Sequence, residues 1–244
     1  MARRARFSAS QLRITRGALI VAALEVGLSL VFFLCDPATR LRIGAWVAAS
    51  PSTVFHHGHV WALATSAFLQ PDFLALILDI FVLWAFVPTL ERFWGTARFY
   101  RFVAVTSIAG TLFGSLAGLA LGHDVPIFGL SPFVYASIVA FGVVYARQPV
   151  QFFGVLPLSG RQLMYGFIGF LVLFVALQQA WEQGAAFAAA MIAAALMTSK
   201  RLSPGLAWKR WRIARARARL SVLEGGQPRE PRPKRKRPDE RFIN

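Results

Sequence analysis

The chain has 244 residues, of which 56% are hydrophobic, 14% aromatic and 16% charged, and its mean hydropathy is +0.52. A soluble domain of this size cannot hide that much apolar surface, which excludes an ordinary globular enzyme. The formal net charge of +16 would suggest a nucleic-acid binder if it were evenly spread, but residues 201–244 alone carry 14 basic and 4 acidic residues. A single cysteine, Cys35, excludes an internal disulfide framework and a cysteine-based metal cluster. The composition is that of a membrane protein with a basic tail.

In chain order, residues 1–16 form a basic leader too long for a cleavable signal peptide, and no Ala-x-Ala site follows the first apolar run. Cys35 lacks the small residues expected before a lipoprotein cysteine. Long apolar stretches then predict six spans, at 17–35, 72–90, 102–121, 127–146, 162–181 and 184–199, most of them near the ~20 residues that cross a bilayer as helix. The expected fold class is therefore all-α: a polytopic six-helix membrane domain over 17–199, with a basic cytoplasmic tail over 200–244. Six crossings put both termini on one side. Of the 27 Lys and Arg residues, only Arg40 and Arg42 fall on the other, which predicts cytoplasmic termini. The Arg- and Ala-rich composition points to a bacterial inner membrane.

The outer segment 36–71 is too apolar for a solvated linker and is expected to lie in the interface or fold on the bundle, with Trp46 and Trp61 as anchors. Beyond the last span, 206–223 reads as a basic amphipathic helix. Its Trp208, Lys209, Arg210, Trp211 and Arg212 suit anionic lipid at the membrane surface. RNA is the less favoured partner, since no base-reading motif is present. The remainder, with Pro231 to Arg237, is disordered by composition.

Ionisable groups within spans cost ~2.5–3.5 kcal/mol at the centre, so Glu25 and Asp79 each require a partner or a role. No partner for Glu25 is legible. Glu91 and Arg92, at the cytoplasmic end of the second span, suit an ion pair or a helix cap. His56, His57 and His59 cluster in the outer segment without further ligands at metal spacing, and no metal or other cofactor is expected: phosphate loops and dinucleotide fingerprints are missing. Ser131-Pro132 reads structurally as a helix start, Ser131 as N-cap and Pro132 at the first helical position. Chemically, Ser131 would be a nucleophile needing a base within reach, yet all four histidines precede it.

Taken in order, three segments resemble the rhomboid superfamily of intramembrane serine proteases and their inactive relatives. His59 to Phe68 resembles the entry to the second span. Leu90-Glu91-Arg92-Phe93-Trp94-Gly95-Thr96-Ala97-Arg98-Phe99 resembles the signature after it. Gly129-Leu130-Ser131 with Phe133-Val134-Tyr135-Ala136 resembles the segment that bears the catalytic serine. The resemblance covers 17–199 and implies a six-helix rhomboid-like bundle.

The departures fall on the chemistry. Pro132 stands where active members have the second glycine of Gly-x-Ser-Gly. Ala186 stands in the place of the last-span histidine, and Ala189 and Ala193 replace its glycines, still small enough for close helix packing. The family's His and Asn of span two map to Ala75 and Asp79. An ionised Asp79 would repel an oxyanion, whereas a protonated one could donate to it. The family's Trp-Arg pair is Trp61-Ala62. The resemblance thus implies a pseudoprotease that binds transmembrane segments or membrane-protein partners without cleaving them. Two alternatives stand beside it: an active serine endopeptidase using Ser131 with Asp79 or His59 as base, and a membrane anchor whose tail binds anionic lipid or RNA.

Overall fold

The structure, a computed structural model, describes residues 14–146, 149–152, 156–199, 212, 213 and 215. The chain divides at Ser203/Pro204 into two units. In the second, Arg212 and Ile213 are helical and exposed, while Trp208, Lys209, Arg210 and Trp211 lie outside the described residues, as do residues 1–13.

Helices occupy all six stretches expected to span: α1 (Arg16–Leu34), α4 (Phe73–Trp94), α5 (Thr96–Leu121), α6 (Ser131–Val144), α7 (Gly160–Gln178) and α8 (Trp181–Thr198). Between α1 and α4 lie two more, α2 (Pro37–Val47) and the single turn α3 (Ala62–Thr65). Four helices, α1, α4, α5 and α7, are long and apolar enough to cross a membrane. Among the described residues, length and hydropathy thus support four of the six expected crossings. At 14 residues, α6 is roughly 21 Å long at the helical rise, short of the ~30 Å hydrocarbon layer. The 18 residues of α8 begin with the polar Glu182 and Gln183.

The all-α expectation fails at one place. Pro149–Phe152 (β1) and Leu156–Ser159 (β2) pair antiparallel, Pro149 opposite Ser159 and Phe152 opposite Leu156, in the stretch between the fourth and fifth expected spans. Strands this short carry too few residues for an alternating pattern to stand out. Ser159 then starts α7 with a reciprocal cap: its hydroxyl accepts the Gln162 amide at 3.3 Å, and the Gln162 side chain accepts the Ser159 amide at 3.0 Å.

Short α6 is the centre of the bundle. It touches α4, α5, α7 and α8, and Pro132, Phe133, Val134 and 136–142 are all buried, as befits a helix apolar all round. Around it, α5 and α8 meet on a seam of small residues. A Cβ at Gly110 would lie 2.5 Å from Pro132, and one at Gly114 would lie 2.2 Å from Ile127 and 2.9 Å from the Ala186 Cβ. One at Gly118 would lie 2.8 Å from the His123 carbonyl. From α8 the fully buried row is Ala186, Ala190 and Ala194. Ala189 and Ala193 are half-buried beside it. Without a hydrophobic drive between helices in lipid, such close backbone approach supplies the packing energy.

The first helix is fastened at its N-terminal end by Glu91. That carboxylate accepts the backbone amides of Gly17 at 3.0 Å and Ala18 at 2.8 Å, and the hydroxyls of Thr15 and, at 2.9 Å, Thr96. It therefore takes up amides that a helix start leaves without intrahelical partners, with the helix dipole adding to the attraction. The role is a cap supplied from another helix. A Cβ at residue 17 would sit 2.6 Å from the Glu91 carboxyl, so only glycine fits there.

The outer segment folds on the bundle. Asp36 caps α2, accepting the Thr39 amide at 3.1 Å and its hydroxyl at 2.6 Å, and Arg40 donates to the last carbonyls of α1 at Phe33 and Cys35. Trp46, His59 and Trp61 stack in a row, with His59 centroids 5.1 and 4.6 Å from the two indoles, and the exposed Trp61 donates its indole N–H to the Trp46 carbonyl at 3.1 Å. The segment is tied down by Ile127 N–H to Ala49 O, Ser52 N–H to Asp124 and the Thr111 hydroxyl to Leu63 O.

Three predictions follow from this packing. Gly114→Leu should cost about 2 kcal/mol or more through overpacking, whereas Gly169→Leu, on an exposed face with open space around it, should leave stability within about 0.5 kcal/mol; detergent-solubilised thermal unfolding compares the two. Glu91→Gln, which keeps the shape and removes the charge, should destabilise by about 2–4 kcal/mol, read in SDS titrations of the folded protein in mild micelles. Hydrogen bonds from the side chain and amide of Thr39 hold the Asp36 carboxyl below its ordinary value, and those from Ser52 do the same for Asp124. A depressed folded value means the stabilisation is complete above the unfolded value of 3.8 and is lost as pH falls through the lower folded one. Amide-exchange protection of Thr39 and Ser52, corrected for intrinsic rates, should therefore drop between about pH 5 and about pH 2.

Candidate functional site

A turn held at both ends delivers Ser131. Gly129 adopts φ +80°, a left-handed conformation, and a Cβ there would lie 2.3 Å from the Gln70 side-chain nitrogen; both facts demand glycine. The Gly129 amide donates to the Ser66 carbonyl at 2.9 Å, and the Leu130 amide to Glu25 Oε1 at 3.4 Å. This is the partner of Glu25 that the sequence did not reveal. Ser131 is the first residue of α6, and Leu130 stands at the N-cap position without a side-chain bond. The expected N-cap role of Ser131 is thus replaced. Its hydroxyl points away from the helix end and donates to Asp79 Oδ2 at 2.8 Å.

Asp79, 5% exposed, projects from α4 one turn beyond the half-buried Ala75. Its Oδ2 also accepts the Gln70 amide nitrogen at 3.3 Å, and the same nitrogen lies 3.5 Å from Ser131 Oγ. Gln70 is in turn fixed by its own backbone N–H, which donates to Ser29 Oγ at 2.9 Å. The result is a buried polar cluster of Glu25, Ser29, Gln70 and Asp79 around a half-buried Ser131, assembled from α1, the end of the outer segment, α4 and the start of α6.

Sequence reading singled out Ser131, Asp79 and Glu25 but missed Gln70, Ser29 and Ser66. Ser29 was findable, since it lies four residues after Glu25 on the same face of α1. Gln70 carried no signal, because a polar residue before Pro71 and Asp72 looks like any loop residue. The other sequence-predicted residues lie elsewhere. His59 sits between the outer indoles, with Ala62 buried beneath that segment. Glu91, Gly95 and Arg92 belong to the far end of α4.

Chemically, the arrangement joins a serine hydroxyl to a carboxylate through one short bond, and Asp79 is placed to accept rather than donate. Ala186 is fully buried with its Cβ against Gly114, so position 186 is filled by helix packing and has no room for a larger side chain. Among the described residues no group of three or more His, Cys, Asp or Glu is placed to hold a metal ion.

No curated protein matches the chain. Residues 19–199 match the model of a family described as eukaryotic integral membrane protein (DUF1751). The membrane expectation is thereby shown; the description is of a eukaryotic family, whereas the composition points to a bacterial inner membrane. The matched region runs from α1 to the end of α8 and takes in every residue of the polar cluster. By that match across most of its length, the chain belongs to the eukaryotic integral membrane protein (DUF1751) family.

Proposed function

We propose that this protein is a rhomboid-like pseudoprotease: a membrane scaffold, with both termini cytoplasmic and the short α6 and α8 completing six crossings, that binds transmembrane segments or membrane-protein partners without cleaving them. The observation that carries this reading is the pairing of two features. The Ser131 hydroxyl is committed to Asp79 at 2.8 Å, and Ala186 is sealed against Gly114 where a general base would have to stand. A serine without a positioned base is a weak nucleophile. Where ionised, Asp79 next to the reacting centre opposes the negative charge that develops during acyl transfer.

One observation favours a second reading. The same 2.8 Å contact meets the geometric requirement for a base, so a serine endopeptidase with Asp79 in that role is the alternative. Asp79 is the candidate base on geometry, since His59 is held in the outer stack. A carboxylate remains a poorer base than an imidazole for a serine hydroxyl, because the proton transfer is uphill over several pKa units.

Both readings are separated by treating the purified full-length protein with a fluorophosphonate and a generic transmembrane substrate. The same assay is run on Ser131→Ala and Asp79→Asn, with an active rhomboid as positive control. The scaffold reading expects no labelling and no cleavage by the wild type. Labelling and cleavage that vanish in both variants would overturn it and establish a Ser131–Asp79 pair.

A further inference from the structure

The cluster beside Ser131 is unbalanced in hydrogen-bond chemistry. The Ser131 hydroxyl, the Gln70 amide group and the Leu130 N–H are directed at carboxyl oxygens. Two buried side-chain oxygens beside them have no partner. Glu25 is 0% exposed and its Oε2 has no partner. Independently, the hydroxyl of Ser66, also 0% exposed, has none. Both residues hold the same turn, Glu25 through the Leu130 amide and Ser66 through the Gly129 amide. Leaving buried oxygens unpaired is costly, the more so within a bilayer, where water cannot make up the deficit.

A partner suited to this place supplies donors and positive charge. A lysine ammonium brings three donors and no acceptor, and an arginine guanidinium five and none. Either is itself expensive in hydrocarbon and gains most from a carboxyl at the same depth. Ser131 is half-buried where Glu25, Ser29, Gln70 and Asp79 are buried, so a partner reaching the cluster meets it first at Ser131, whose hydroxyl is bonded to Asp79. An acidic side chain arriving there would face two carboxyl groups, and an aliphatic one would leave the orphan oxygens as they are.

We propose that the Ser131 pocket selects membrane segments that carry a basic side chain at its depth, with Asp79 and Glu25 as the recognising groups. This deepens the scaffold reading and rests on it.

The test uses the full-length protein in phosphatidylcholine vesicles and synthetic polyleucine helices with one central Lys, Leu or Asp, association being followed by energy transfer. The Lys helix should bind about tenfold more tightly than the Leu helix, with the Asp helix no better than Leu. In Glu25→Gln and Asp79→Asn the Lys-to-Leu affinity ratio should fall toward one. Moving the Lys by one helical turn along the wild-type partner should also abolish the preference, a measurement that needs no variant to fold. Equal binding of all three helices would overturn the selectivity and leave the scaffold standing. Binding of none would overturn both. A Lys preference that survives in both carboxyl variants would assign recognition elsewhere and overturn the proposal.

Discussion

Close approach of α5 to α8 is the constraint on which the rest of this molecule depends. Gly110, Gly114 and Gly118 remove side chains from one face of α5, and Ala186, Ala190 and Ala194 present only methyl groups from α8. In lipid the attraction between helices comes from van der Waals contact and hydrogen bonding rather than from exclusion of water, so a seam without bulk is what joins these two segments. The same seam receives Pro132 against Gly110 and Ile127 against Gly114, and so fixes the start of α6 and with it Ser131. It also decides the fate of position 186. A side chain placed where packing is this tight is limited to a methyl group, and catalysis by a base from that position is incompatible with the packing that holds the bundle.

A second theme is the supply of hydrogen-bond partners from one segment to the end of another. Helix ends leave amides and carbonyls open, and a bilayer offers nothing to fill them. Glu91 serves the start of α1, Arg40 its last carbonyls, Asp72 the start of α4 through the Ala75 amide, and Arg98 a terminal carbonyl of α8 at Met197. Anions stand at amino ends and cations at carboxyl ends, in the sense the helix dipole favours. These contacts explain several charged residues near span boundaries without recourse to chemistry. They also set off Glu25 and Asp79, which stand within α1 and α4 and meet Leu130 and Ser131 at the turn into α6.

Those two carboxyls give the site its character. A serine set in an acceptor-rich pocket differs from one set among donors: the first holds its proton and attracts cations, whereas the second is prepared for anionic intermediates. Here the donors of the pocket are turned inward on Asp79 and Glu25, and the Gly129 turn, possible only with a left-handed glycine, keeps Gln70 pressed over the serine. This arrangement suits the proposed recognition of positive or donor-rich groups better than stabilisation of negative charge.

Much of the architecture was legible in the chain itself. Apolar run length located the six helical stretches, since a helix must satisfy its own backbone in lipid and so writes its extent as hydropathy. The basic composition of residues 201–244 was equally plain. Tertiary structure alone decided the remainder. α6 begins only at Ser131 because the left-handed Gly129 turn, tied to Ser66, precedes it, and the hairpin at 149–159 is set by pairing too brief to leave a periodic signal. Whether Ser131 caps its helix or bonds to Asp79 depends on a residue 52 positions away. Gln70, Ser29 and Ser66 acquire meaning only when α1, the outer segment, α4 and α6 converge. Hydropathy is a local property that the sequence carries by itself; hydrogen-bond partnership between distant segments is a property of their arrangement in space.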